Sequence, residues 1–216
     1  MSQWLKLEPR LHQVAIAGQV RDRETSQPID KARVKIVGMP DFLKTKLALK
    51  AKQYGTDWEK LPERIDQTYS KIDGFFHFLD LPEGKYKLAV SFPGTGTRYG
   101  GAEKEVGIVH DGEKIKLTAA DISLPPTALK GEVTNTDNTP VVMAKIQVVG
   151  SGEYIFSDGE GKYLFTGLEA SETRRTVQVS AQGYKLVSKS VQLNQGKTKI
   201  INFKLQSKST TTEAKK

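Results

Sequence analysis

Three histidines, His12, His77 and His110, and the absence of cysteine bound the chemistry open to this chain of 216 residues. Without thiols there is no disulfide, no zinc–thiolate site and no thiol nucleophile. His110 and Glu113 stand at the H-x-x-E spacing that can furnish two ligands to a hydrolytic zinc ion. Catalytic zinc takes three protein ligands and keeps one position open, yet no histidine follows His110 to complete the set. His110-Asp111-Gly112-Glu113 therefore reads as a turn between two strands. His77 alternates with Phe76 and Phe78, which sends it to the face opposite the two rings. The Gly-rich run at 94–101 lacks the following helical pattern that a phosphate cradle requires. The expectation is no catalytic residue, no metal ligand and no cofactor.

The elements that would have to position any site come in two matching sets. GQVRDRETSQPIDKARVKIVG from Gly18 and GEVTNTDNTPVVMAKIQVVG from Gly131 align Gly18 with Gly131, Val20 with Val133, Pro28 with Pro140, Ala32 with Ala144, and Ile36 with Val148. Gly74, Phe76, Phe78 and Leu81 then answer Gly161, Tyr163, Phe165 and Leu168. Val90 matches Val179, and Ile122 with Leu124 matches Phe203 with Leu205. Each block is short, alternates apolar with polar residues, and is bounded by Gly, Pro, Asp or Asn, the pattern of half-buried antiparallel strands. The Asp-Gly pairs at 73–74 and 158–159 are expected to supply positive-φ turns.

The ordered blocks G-x-V-x-D/N, P-[IV]-x-x-A-x-[VI] and G-x-[FY]-x-F-x-x-L, occurring twice, resemble the carboxypeptidase regulatory-like family. That resemblance implies two consecutive all-β, antiparallel, Greek-key-type, seven-stranded sandwiches of transthyretin-like form, and modules that serve folding, spacing or contact rather than catalysis. The expected organisation is an N-terminal arm at 1–13, a first sandwich at 14–126, a second at 127–205 and a disordered tail at 206–216. Hydroxyisourate hydrolases, which share the transthyretin-like fold, need histidines and a C-terminal Tyr-Arg-Gly-Ser, whereas this chain ends in Lys215-Lys216.

The copies differ at one point. Between Ile36 and Gly74 the first carries an insertion, at about 39–64, that the second lacks. DFLKTKLALKAKQYG, 41–55, reads as a short helix with Asp41 as N-cap and Gly55 as terminator. Leu43, Leu47, Ala51 and Tyr54 share one face, and Lys44, Lys46, Lys50 and Lys52 supply the polar surface. One reading is a cover over an open edge of the sandwich. The other is a docking element for an acidic partner or, through 41–55, an anionic membrane surface. Phe42, Tyr54, Trp58 and Arg64 join the four lysines as candidate partner contacts, with Trp4 from the arm. Trp58 suits a buried position or an interface anchor equally.

WEKLPERIDQT (58–68), DGFFHFLDLPEGKY (73–86) and SFPGTGTRYGG (91–101) also resemble segments of accessory proteins of phage-tail-like contractile injection systems. That resemblance implies a structural or attachment part of a bacterial particle, with protein subunits, and oligomeric assembly, as partners. A carbohydrate or cell-surface binding module is the alternative, and would want exposed aromatics such as Trp58, Tyr69 or Tyr99.

The formal charge of +8 is spread among acids along the chain and reads as solubility. Nucleic acid is not an expected partner, because basic residues are not interleaved with aromatics on one face. No apolar run has signal-peptide or membrane-spanning character, so the expected location is the cytoplasm.

Overall fold

The computed structural model describes residues 12–61, 64–93, 96–112 and 114–208. Trp4 and Glu113 lie outside them, as do the last eight residues of the expected tail.

Alternation decides what each strand buries. In β1 (Val14–Asp22), Ile16, Gly18 and Val20 point inward while Ala17, Gln19 and Arg21 are less buried. The chain continues through β2 (Arg33–Gly38), helix α1 (Asp41–Tyr54), a 3-10 turn (Gly55–Lys60), β3 (Gln67–Tyr69), β4 (Phe75–Leu79) and β5 (Gly84–Ser91). It then forms β6 (Ala102–Asp111), β7 (Lys114–Lys116), β8 (Thr118–Ala119) and β9 (Ile122–Leu124). One sheet runs β4-β1-β8, with β9 also on β1, and the other runs β3-β2-β5-β6-β7. Ile16, Val20, Phe76 and Phe78 line the inner face of the first; Val34, Ile36, Tyr86, Leu88, Val90 and Ile108 line the second. Each such side chain removed from water contributes roughly 1.5–3 kcal/mol before entropy is counted.

The second unit repeats this with β10 (Ala128–Asn135), β11 (Lys145–Val148), β12 (Tyr154–Phe156), β13 (Lys162–Phe165), β14 (Arg175–Ser180), β15 (Val187–Val191), β16 (Thr198–Ile200) and β17 (Phe203–Leu205). Its sheets run β13-β10-β16, with β17 also on β10, and β12-β11-β14-β15. With β16 and β17 taken as halves of one interrupted strand, seven strands enclose a core that includes Leu129, Val133, Ile146, Val148, Val177, Val179 and Phe203. The fold is an all-β sandwich, as expected.

A shared hydrogen-bond skeleton explains the matched residues. Ser70 Oγ accepts from Ala32 N (2.9 Å) and donates to Ile29 O (2.6 Å). Ser157 Oγ does the same between Ala144 N (2.9 Å) and Val141 O (2.6 Å). Asp22 and Asn135 each fold a loop by accepting two backbone N–H groups on Oδ1. Where the last strand breaks, Asp121 Oδ1 accepts from Gln19 N (2.9 Å) and Asn202 Oδ1 from Glu132 N (3.0 Å). The carbonyls of Ala120 and Ile201 at those breaks occupy the space a Cβ on Gly18 or Gly131 would need. Only glycine fits there.

Four expectations are corrected. The strand pairing is not wholly antiparallel: β8 pairs parallel with β1, and β16 and β17 pair parallel with β10, because the last strand re-enters beside the first from the same end. In the 158–162 turn the positive φ falls on Gly161 (+74°), matching Gly74 (+76°), and not on Gly159, because Asp158 Oδ1 caps the turn from its start by accepting from Glu160 N and Lys162 N. Pro40, and not Asp41, precedes the helix; Asp41 is its first residue, where a carboxylate favours the N-terminal end of the helix dipole. Order continues past 205, because Lys185 N donates to Gln206 O and Lys208 N to Gly183 O, both at 2.8 Å.

The division of the chain is also less simple than two consecutive stretches. The first unit comprises Met1–Pro93 and Ala102–Ser123; the second comprises Gly94–Gly101 and Leu124–Lys216. Within the second unit, Thr127 N donates to Arg98 O (2.7 Å) and Gly100 N to Pro125 O (2.8 Å). Glu169 receives Thr97 N (2.8 Å) and Arg98 Nε (2.7 Å). Burial opposes ionisation of Glu169, but these donors outweigh it and hold its carboxyl below the usual range.

Candidate docking site

The insertion is built on two buried leucines. Leu43 and Leu47, one turn apart, face inward and are 2% and 7% exposed. They fix α1 onto the first sandwich, so the rest of its surface is free for other work. Gly55, at φ +57°, ends the helix, and its N–H closes on Ala51 O. The following turn carries Trp58 back toward β2.

Trp58 is half-buried between two neighbours. The Tyr54 ring stands 6.0 Å from it, tilted by 38°, and the Arg64 guanidinium lies 4.6 Å from its centroid. Arg64 is only 1% exposed at its side chain. It donates to both carboxylate oxygens of Asp66, at 2.9 and 2.7 Å, and pairs with Glu59 at 3.2 Å. Burial alone would lower its pKa; the bond and charge of Asp66, then Glu59, reverse that and raise it. Arg64 is thus committed to holding the loop, and its polar atoms face carboxylates of its own chain.

The lysines stand otherwise. Lys44, Lys46 and Lys52 are exposed and Lys50 is half-buried. Among the described residues none of the four has an acidic partner, whereas the acids of the loop are consumed internally: Asp57 by Lys60, and Glu59 and Asp66 by Arg64. Lys46 and Lys50, four residues apart, repel each other on the helix surface at a cost of roughly 0.2–0.5 kcal/mol. Helix stability does not account for this arrangement.

A groove runs on each side of α1. One, of about 380 Å³, is lined by Ile36, Val37, Met39, Leu47, Ala48, Ala51 and Trp58, with Lys35, Lys44 and Asp66 among its polar residues. The other, of about 280 Å³, includes Phe42, Leu43, Lys46, Ile65, Leu81, Pro82, His110 and Ile115. Phe42, 71% exposed, forms an apolar wall of the second groove. The structure thus brings Lys44 and Trp58 to one groove and Phe42 and Lys46 to the other. Lys35, Val37 and Met39 were not singled out by sequence reasoning. Their signal was alternation: with Val34 and Ile36 inside, Lys35 and Val37 must face out.

His110 Nε2 lies 3.3 Å from Leu81 O. Among the described residues no group of three His, Asp or Glu side chains is placed to hold a metal ion, and no helix is long and apolar enough to cross a membrane. Tyr69 is 38% exposed and Tyr99 half-buried.

The features that define the second unit are the Gly131 close approach, the Ser157 bridge and the Pro140 loop folded against Gly161. Residues 128–206 match the carboxypeptidase regulatory-like domain. The matched stretch holds the second copy of the skeleton; the first unit reproduces its bonds at Ser70 and Asp121 and its close approach at Gly18, while Asp22 caps its loop with a different second donor, Thr25 N where Asn135 has Thr139 N. No curated protein sequence matches the chain. Among solved structures, the shaft pilin SpaA from Lactobacillus rhamnosus GG is 9% identical, with 92% of this chain and 98% of that chain covered and a TM-score of 0.42. GBS52, the minor pilin of Streptococcus agalactiae, is 12% identical, with 93% and 99% covered and a TM-score of 0.32. A streptococcal ancillary pilin is 14% identical, with 92% of this chain covered and a TM-score of 0.36; the chain spans 63% of that pilin's length.

Proposed function

We propose that the protein is a non-catalytic structural subunit or attachment element of a larger bacterial assembly, residing in the cytoplasm, and that α1 with its following loop is where the assembly holds it. The observation that carries this reading is the charge imbalance of the insertion: among the described residues Asp57 and Glu59 are paired inside the chain, while the four helix lysines have no acidic partner and stand beside apolar grooves. The two units share one skeleton, so the first is read as a diverged regulatory-like domain that acquired a contact element and the second as a spacer. The finer reading, a part of a phage-tail-like contractile injection system, is supported by the segments 58–68, 73–86 and 91–101.

The test is sedimentation of the tagged chain from its native cells, with co-sedimenting subunits identified by mass spectrometry. Wild type is expected in a particle-sized fraction, and the variant with Lys44, Lys46, Lys50 and Lys52 all changed to Glu is expected to remain at the top of the gradient while keeping its Tm. Equal sedimentation of the two proteins would remove α1 from the account. Absence of tail-like components from the fraction would remove the finer reading alone.

A second reading is favoured by one feature of the second unit. Tyr154 and Phe156, 53% and 43% exposed, share the outer face of β12 with ring centroids 5.6 Å apart, and Gln147 stands opposite Tyr154 on β11. Exposed rings beside the Gln147 amide suit a sugar, which would take the place of the Lys145 ammonium that now lies 4.3 Å from the Tyr154 ring centroid. Glycan-array binding that disappears in Tyr154→Ala would support this; no binding above background would dismiss it.

A further inference from the structure

We infer that the groove between α1 and β2 binds an acidic amphipathic segment of a partner protein, with apolar anchors entering between Val37, Ala48 and Trp58 and carboxylates meeting Lys35 and Lys44. This rests on the proposal that α1 is the attachment element, and names what it attaches to.

The floor of the groove is apolar and its volume, about 380 Å³, falls within the range of roughly 300–1,000 Å³ common for ligand sites. Val37, in its lining, is 49% exposed, an apolar side chain left in water at an outward strand position. The polar residues of the groove are not balanced. Asp66 is neutralised by the two-pronged bond from Arg64, so among the described residues Lys35 and Lys44 have no compensating carboxylate, with Lys52 further along the same helix. A ligand that fills such a site must be apolar at its centre and negative at its margins, because an unpaired charge driven against a like charge weakens association by several-fold or more. Trp58, one of the lining residues, has the Tyr54 ring 6.0 Å away and the Arg64 guanidinium 4.6 Å from its centroid, and these neighbours hold the indole in place. A wall fixed before binding lowers the ordering cost of the complex.

An anionic bilayer is the less suitable occupant. A helix that lies in a membrane interface presents a continuous apolar face to the lipid, whereas α1 directs Leu43 and Leu47 into its own sandwich. The most exposed large apolar side chains of α1, Phe42 and Leu49 at 71% and 63%, are separated on their face by Thr45 and Lys46 and form no continuous stripe for lipid. Val37, Ala48 and Trp58 instead line one hollow between helix and strand, which suits the side chains of a partner segment.

The test uses the full chain, purified, and a displayed library of random 16-residue peptides as the probe. Selected peptides are expected to be net acidic, with two or more large apolar residues three or four positions apart. Binding of a synthesised winner, followed by fluorescence anisotropy, is expected to fall about tenfold or more in the double variant Lys35→Glu/Lys44→Glu, as one lost charge-assisted contact already approaches that factor. A peptide with its Glu residues changed to Lys is expected to bind the double variant and not the wild type. Ala48→Glu, which places a carboxylate in the groove, is expected to abolish binding without lowering Tm. The inference is overturned if winners are not acidic, if the double variant binds them as wild type does, or if vesicles rich in phosphatidylglycerol bind the chain while no peptide is selected. Because this assay needs only the purified chain, its failure leaves the sedimentation result standing, and a failed sedimentation experiment does not decide this one.

Discussion

Replacing Ser157 by Ala, and Ser70 by Ala in the other copy, should produce one destabilisation twice. Each hydroxyl is nearly inaccessible, with its residue 2% and 3% exposed respectively, and each joins one backbone N–H to one backbone C=O. Alanine removes both partners at once and puts nothing in their place. An orphaned buried polar group costs roughly 1–3 kcal/mol, so two such groups with partial relaxation give about 2–4 kcal/mol per variant. Urea unfolding supplies the free energy. Hydrogen exchange read by mass spectrometry locates it: Ala144 N should lose protection in Ser157→Ala and Ala32 N in Ser70→Ala. The exposed control Ser188→Ala should stay within about 0.5 kcal/mol of wild type. A loss no larger than that control in either variant would refute the claim that the two serines perform the same structural task.

Other substitutions probe the remaining joints. Gly131→Ala and Gly18→Ala force a Cβ onto the carbonyls of Ile201 and Ala120, and each should lower Tm sharply or prevent folding, while Gly107→Ala, with open space around it, should be tolerated. Arg64→Ala leaves the buried Asp66 without its counter-charge and is expected to cost about 3–5 kcal/mol, with faster proteolysis in the loop and a changed Trp58 emission. Burial pushes the Tyr86 phenol up to about 12 and that of Tyr163 upward as well. Unfolded phenols ionise near 10.0, so the neutral folded phenols stabilise fully below that pH and the contribution falls as pH rises toward 12. The stability gap between wild type and Tyr163→Phe, which also loses the 2.6 Å bond to Ile201 O, should therefore narrow from pH 10 upward. Glu169 runs in the opposite direction: its lowered pKa stabilises the second unit above the usual carboxylate range, a benefit lost on acidification and absent in Glu169→Gln.

The sandwich was legible in the sequence because alternation, Gly and Pro landmarks and paired aromatics each have one economical structural use. Gly18, Gly131, Phe76 and Tyr163 could be placed before any coordinates. Ser70 and Ser157 could not, since a serine in a strand flank looks solvated until its two backbone partners are known. The parallel closure was equally hidden: Ile122 and Phe203 announce strands, but no local pattern states the direction in which a strand pairs. Gly94–Gly101 sits in sequence inside the first copy yet belongs to the second unit, because the bonds that claim it come from Thr127 and Glu169, far along the chain. At the candidate site the lysines of α1 were visible from composition. The groove was not, because it depends on the insertion bringing Trp58 to the same hollow as Val37 of β2, and Arg64 could be recognised as a loop clasp only once its two bonds to Asp66 were known.

Lysine-reactive labelling of the chain, alone and inside the isolated native particle, puts the central claim to its most direct trial. Lys44, Lys46, Lys50 and Lys52 should react readily in the free protein and become protected in the particle, while Lys130 and Lys199, exposed in the second unit, should react alike in both. Unchanged labelling of the four helix lysines, with protection falling on the second unit instead, would contradict the assignment of α1 as the element the assembly holds.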